Sequence, residues 1–177
     1  MATDLSFVPY EPEHRPVLER LWQLYRHDLS EFRGTHGPEG FVGSLPEPTG
    51  AFHTRTLDPF LEPDPDRAVH LFFRGEAPAG FAFVGRLTNG PTLMTEFFVV
   101  RGLRGRGAAR AAADHLFRLY PGVWDIPFQE RNVAAARFWR RLGGPSAHEE
   151  LRPVPGKPDV PPDVWLTLTT VAHQRAS

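Results

Sequence analysis

The chain has 177 residues, 41% apolar and 23% charged, a size and balance that fit one globular domain and argue against disorder. A formal net charge of -1 gives no reason to expect a nucleic-acid or anionic-membrane partner. With no cysteine, a disulfide framework, a thiolate metal site and a cysteine nucleophile are excluded.

Leu5–Pro9 is a short strand candidate. Over Pro12–Leu29, Leu18, Leu21, Trp22, Tyr25 and Leu29 recur at helical spacing and predict an amphipathic helix. Pro12 and Pro16 suit its first turn better than its interior. Its expected end carries His27, Asp28, Ser30 and Glu31. Gly34–Pro59 is rich in glycine and proline and has no sustained period, and Glu62-Pro63-Asp64-Pro65-Asp66 extends it. A loop of this length is unusual in a compact domain and often functional. Short helical pieces fit around Phe52–Leu61.

From Val69 the texture changes to strands. His70–Arg74, Gly80–Leu87 and Thr92–Val100 are separated by the turns Gly75-Glu76-Ala77-Pro78 and Asn89-Gly90-Pro91, and predict an antiparallel meander. Phe97–Val100 is a continuous apolar run, which suits a central strand covered on both faces. An arginine- and glycine-rich turn, Arg101–Gly107, leads into an alanine-rich helix over Ala108–Tyr120 that stops at Pro121-Gly122. Val123–Phe128 reads as a strand. Asn132 is a good N-cap for a helix over Val133–Leu142, which ends at Gly143-Gly144-Pro145. Two last strands, Ala147–Pro153 and Val164–Thr170, flank a proline-rich loop. The order predicts a single mixed α/β (α+β) domain over residues 1–177. It contains no apolar run long enough for a transmembrane helix. Met1–Pro9 is too polar for a signal peptide, so a soluble, cytoplasmic protein is expected.

The chemistry concentrates in Val99–Ala109. A strand, a glycine turn and a helix start together make an anion cradle. Gly105 and Gly107 let successive amides converge, and the helix N-terminus adds unpaired N–H groups. Arg101, Arg104 and Arg106 add charge suited to phosphates. The nucleoside-triphosphate loop is excluded, because no Gly-Lys-Ser/Thr follows. The dinucleotide fingerprint is excluded by context, since the turn follows an antiparallel meander late in the chain.

Arg104-Gly105-Arg106-Gly107-Ala108-Ala109 resembles the acyl-CoA-binding signature of the GNAT superfamily of N-acetyltransferases: Gln/Arg, two variable residues, Gly, one variable residue, Gly/Ala. The preceding Glu96-Phe97-Phe98-Val99-Val100 resembles that family's central strand. Asn132, Ala135, Ala136, Phe138-Trp139 and Gly143 resemble its following helix. The resemblance spans about His70–Gly144 and is nearest to uncharacterised bacterial acetyltransferases. It implies a mixed, mostly antiparallel central sheet with flanking helices and a splayed central strand pair.

It also implies acetyl-CoA as co-substrate and direct acetyl transfer to a primary amine, with a longer acyl group as a variation. The amides of Arg104, Gly105, Arg106, Gly107, Ala108 and Ala109 would hold the pyrophosphate. Phe98, Val99 and Val100 would border the pantetheine arm, and the Val99 N–H would polarise the thioester carbonyl. Asn132 and Ala135 would lie along the arm, with Phe138 and Trp139 at its thioester end. The family often has a tyrosine beside that position as general acid; Trp139 stands there in this chain. For the base that deprotonates the amine, Glu96 is the first candidate, because a charge in so apolar a strand needs a reason. Asp28 and Glu31, three apart on one helix face, are second candidates, or would bind a cationic acceptor.

The acceptor, a small molecule or a peptide amine, is left open, and dimers are common in such families, so a homodimer is an open expectation. Other readings stay beside the enzyme: a CoA-binding or sensing module without turnover, and a nucleic-acid binder using the arginine turn. The latter predicts steep salt dependence and runs against the net charge. Neither a nucleic-acid nor a membrane partner is expected. The histidines are scattered, and nothing in the spacing of His27, His36 and His53 supports a metal site.

Overall fold

In the computed structural model, which describes residues 4–33, 45–52, 54, 57–155 and 161–170, the apolar runs assemble into one seven-stranded sheet in the order β1-β2-β3-β4-β5-β7-β6. β1 (Ser6–Pro9), β2 (Arg67–Arg74), β3 (Ala77–Gly85) and β4 (Thr92–Val99) pair antiparallel as neighbours in chain order. β5 (Gly122–Phe128) joins β4 in parallel. β7 (Asp163–Thr170) runs antiparallel between β5 and β6 (His148–Arg152). The sheet is therefore mixed and mostly antiparallel, as the resemblance implies.

Strand alternation sorts the side chains into two cores. Leu71, Phe81, Phe83 and Phe98 face α1 (Arg15–Arg33), burying its Leu18, Leu21, Trp22, Tyr25 and Leu29 stripe, while α2 (Asp58–Leu61) adds Phe60 and Leu61. Phe72, Ala82, Val84 and Val99 face α3 (Ala108–Leu119) and α4 (Val133–Gly143). The α1 side is an aromatic stack: Trp22 lies parallel to Phe83 at 6.1 Å, and Tyr25 meets Phe81 edge-on at 5.5 Å. Truncating such an aromatic to alanine costs about 3–5 kcal/mol. On the other side the small faces of Ala108, Ala112 and Ala113 let α3 sit close to the sheet.

Three boundaries differ from the sequence reading. The first helix does not end near Leu29; it continues to Arg33, after a separate 3-10 turn that takes Pro12. Asp28, Ser30 and Glu31 are thus residues of a helix flank. The second difference is β3, which starts at Ala77 and so includes Pro78. The β2–β3 register runs from Phe72↔Gly80 to Phe73↔Pro78, leaving Ala79 as an extra residue, and a bulge is where a strand tolerates proline.

The third difference positions the site. Phe83 pairs with Glu96, but Val84 pairs with Met94, so Thr95 is an extra residue in β4. The bulge changes which residues share a face. Met94 comes to the α3–α4 side with Phe97 and Val99, and Glu96 shares the α1 side with Phe98. A bulged strand also bends. The parallel pairing of β4 with β5 is confined to Thr92↔Trp124 and Leu93↔Asp125, just before the bulge. The central pair splays from there.

Candidate active site

The splay leaves one edge of β4 open. The Val100 N–H donates to the Ala79 carbonyl of β3 at 2.9 Å. Successive residues of a strand turn their backbone groups to opposite edges, so the Val99 N–H faces the gap. The Val99 carbonyl accepts Arg104 Nε at 2.9 Å, which ties the strand end to the turn beyond it. The Arg104 guanidinium also lies 5.5 Å from the Phe98 ring centroid.

In that turn, Gly105 and Gly107 have φ of +71° and +85°, a left-handed backbone that a β-carbon disfavours. Gly107 is the N-cap of α3 and has no side chain to bond the first-turn amides. These amides and the positive end of the helix suit an anion. A cavity of about 470 Å³ opens beside the turn. Phe97, Phe98 and Val99 form its floor, Arg101, Arg104, Gly105 and Ala109 one end, and Asn132, Ala135, Phe138 and Trp139 a side wall. Tyr25, Asp28 and Glu31 close it from α1.

Not every expected contact reaches this cavity. Arg106 and Gly107 are exposed outside its lining, and the Ala108 methyl is buried in the core beneath α3. Val100 is also outside it: its N–H belongs to β3 and its side chain packs in the α1 core. Asn132 caps α4, with its Oδ1 accepting from the Ala135 N–H at 3.1 Å, and its side also lines the cavity. Phe97 packs edge-on against Trp139 at 5.0 Å and parallel to Phe138 at 6.1 Å, so these rings form a wall more than a free edge.

Asp28 corrects the sequence reading most. Its carboxylate bonds Arg101 Nη2 at 2.8 Å and also Arg104 Nη2. Burial pushes the Asp28 carboxyl up, but the two guanidiniums outweigh it and hold it below its ordinary value. A carboxylate so stabilised is a poor base. It neutralises the arginines of the turn. Glu31 is exposed and lines the same cavity.

A second cavity of about 140 Å³ lies along the splay, lined by Thr95, Glu96, Gln129 and Asp163 among others. Tyr25, Phe97, Asn132 and Trp139 line both cavities. The Tyr25 hydroxyl donates to Glu96 Oε2, joining α1 to β4 at the boundary between them. The Gln129 amide lies 3.4 Å from Asp163 Oδ1. Sequence reasoning took Tyr25 only as part of an apolar stripe and did not single out Gln129 or Asp163. The one available signal was a phenol hydroxyl on a helix face that is otherwise apolar.

Away from the cavities, His70 is buried on the α3 side of β2, its Nε2 2.8 Å from the Tyr120 hydroxyl. Burial, with help from His115, lowers its pKa to about 4. Among the described residues no three His, Asp or Glu side chains form a metal cluster, and no helix is long and apolar enough to cross a membrane. His27 is exposed, 3.9 Å from Asp28; His36 and His53 lie outside the described residues.

No protein-family model matches the chain, and no curated protein matches it by sequence. Solved structures do match over nearly its whole length. The ribosomal-protein-S18-alanine N-acetyltransferase of Escherichia coli superposes with a TM-score of 0.65 at 12% identity, covering 98% of both chains. Spermidine N-acetyltransferase of Vibrio cholerae, solved with CoA and spermine, gives 0.65 at 10% identity over 96% of this chain and 97% of its own. An acetyltransferase of the GNAT family from Staphylococcus aureus gives 0.60 at 13% identity over 93% of this chain and 98% of its own. Sheet order, splay, glycine turn and these superpositions agree: the chain has the GNAT fold.

Proposed function

We propose that this chain is an N-acetyltransferase that transfers the acetyl group of acetyl-CoA to a primary amine by direct attack. The observation that carries the reading is the splay between β4 and β5, which opens beside a left-handed glycine turn at a helix N-terminus. The residues suit the donor. The amides from Arg104 to Ala109, with Arg101 and Arg104, would hold its phosphates. The Val99 N–H would polarise the thioester carbonyl, and the Phe97, Phe98, Phe138 and Trp139 rings would keep water from it. Bound there, the donor supplies an acyl group on a good leaving group.

Glu96 is the base. An amine with a pKa near 10 reaches the site protonated, and Glu96 lines the smaller cavity across the splay. It takes the proton before the nitrogen attacks. The names of two structural neighbours, for S18-alanine and spermidine N-acetyltransferases, describe transfer to nitrogen and support an amine acceptor here.

The test is isothermal titration with acetyl-CoA, CoA and ATP in parallel. Binding of both CoA compounds but not ATP is expected. No CoA binding by folded protein would end the donor reading. A second reading, a CoA-sensing module without turnover, draws on Trp139, whose indole cannot act as the acid that the family's tyrosine supplies. It predicts CoA binding with no thiol release from acetyl-CoA across a panel of small amines and peptide N-termini.

A further inference from the structure

We propose that Tyr25 is the general acid of this site and that it works as one unit with Glu96: Glu96 takes the proton from the attacking amine, Tyr25 gives its own to the departing sulfur, and Glu96 then restores Tyr25. The inference rests on the donor reading above. Its basis is placement. A proton donor for the leaving sulfur must reach the donor cavity, and a route to regenerate it must reach the acceptor cavity. Tyr25, Leu29, Phe97, Asn132, Ala135 and Trp139 are the described residues that line both. Of these only Tyr25 carries a proton acidic enough to pass to a thiolate; the Asn132 amide and the Trp139 indole do not. The Tyr25 hydroxyl already bonds Glu96 Oε2.

The balance closes. The amine nitrogen forms a bond to the acyl carbon as the carbon–sulfur bond breaks. The amine has by then passed its ammonium proton through Glu96 to water, and the second N–H proton, released as the amide forms, passes to the Glu96 carboxylate. The Tyr25 O–H proton passes to the sulfur, and the Glu96 proton moves to the Tyr25 oxygen. Both side chains end as they began, and the products are an amide, a free thiol and the one proton already released to water. Tyr25 is packed against Trp22, Phe81 and Phe98, so its ring is held while its hydroxyl can rotate between the two partners. A residue supplied by α1 thus does what Trp139 on α4 cannot.

The step can be read without knowing the acceptor. Glu96→Gln imitates the protonated carboxyl, whose N–H can bond the Tyr25 oxygen and leave the O–H for sulfur. CoA is bound to Glu96→Gln and to Tyr25→Phe/Glu96→Gln, its affinity is measured by calorimetry, and ionisation of its thiol is followed by thiolate absorbance across pH. Similar CoA affinity is expected, with the thiol ionising about one pH unit lower when Tyr25 is present, a tenfold effect. Equal ionisation in the two variants would overturn the proposal. A double variant that keeps its circular dichroism but loses CoA would also overturn it, placing Tyr25 in donor binding. Wild-type protein that fails to bind CoA would instead overturn the donor reading.

Discussion

The two cavities share the wall made by Tyr25, Phe97 and Trp139 and differ in charge. The larger is lined by Asp28 and Glu31 together with Arg101 and Arg104, and Asp28 already pairs with both arginines. The smaller contains Glu96 and Asp163 and no lysine or arginine among its described lining. Under the proposed function one sheet edge would offer an anion site whose arginines are already paired and, across one tyrosine, an acidic site for an ammonium. The lesson is that the splay does more than make room. Under that function it would keep two oppositely charged partners apart until their reacting ends meet.

The largest expected effect tests the acidic side. Once an acceptor is found by thiol release, Glu96→Gln should lower kcat by about 10²–10⁴-fold with CoA affinity unchanged. Wild-type turnover would move the base elsewhere. On the anion side, Gly107→Val should weaken CoA binding by about 100-fold or more, because a β-branched residue at that φ strains the turn and displaces its amides. Circular dichroism checks the fold, and unchanged affinity would break the cradle model.

A third test asks whether acid acts through the cavities or apart from them. His70 is neutral in the folded protein, with a pKa of about 4. Unfolded, it takes a proton below about 6.5. Its contribution is complete above that pH and is lost as pH falls from about 6.5 to about 4, amounting to about 3 kcal/mol. Asp28 acts lower, since its carboxyl is held below its ordinary 3.8. Denaturant midpoints at pH 7 and 4.5 should therefore converge in His70→Gln; an unaltered acid loss would assign it to other groups.

Smaller effects sharpen the contrast in charge. Asp28→Asn should tighten CoA binding by about 3–10-fold at low salt, with the gain fading as salt screens the freed arginines. Weaker binding would mean that Asp28 aligns them instead. Asp163→Asn should raise the KM of a cationic amine by about fivefold and leave kcat within about twofold. An equal fall in kcat would place Asp163 closer to the chemistry.

Much of the fold was legible because its signals are local. The meander from β2 to β4, the glycine turn, the alanine helix and the Asn132 cap each follow from neighbouring residues. The gaps are non-local or depend on a count. Asp28 meets Arg104 across 76 positions and Tyr25 meets Glu96 across 71. Neither pairing has a periodic signature, so Asp28 reads as a polar helix end and Tyr25 as core. Val100 looks like one more apolar residue of the site strand, yet the edge to which its N–H points removes it. Thr95 gives no warning at all, since a threonine in a strand is ordinary.

That threonine sets a rule for how this chain can change. Side chains before and after it obey opposite parities, so β4 behaves like a message with a one-letter frameshift written into it. Deleting Thr95 while keeping every other residue would return Met94 and Glu96 to register with a regular ladder. Met94 and Glu96 would then be consecutive and keep their present faces by ordinary alternation, but the bend that the extra residue puts into β4 would be lost. Losing one unremarkable hydroxyl residue would then leave every side chain on its face and straighten the strand where it parts from β5. In this strand the ordinal place of a residue, and not its chemistry, decides which cavity it serves.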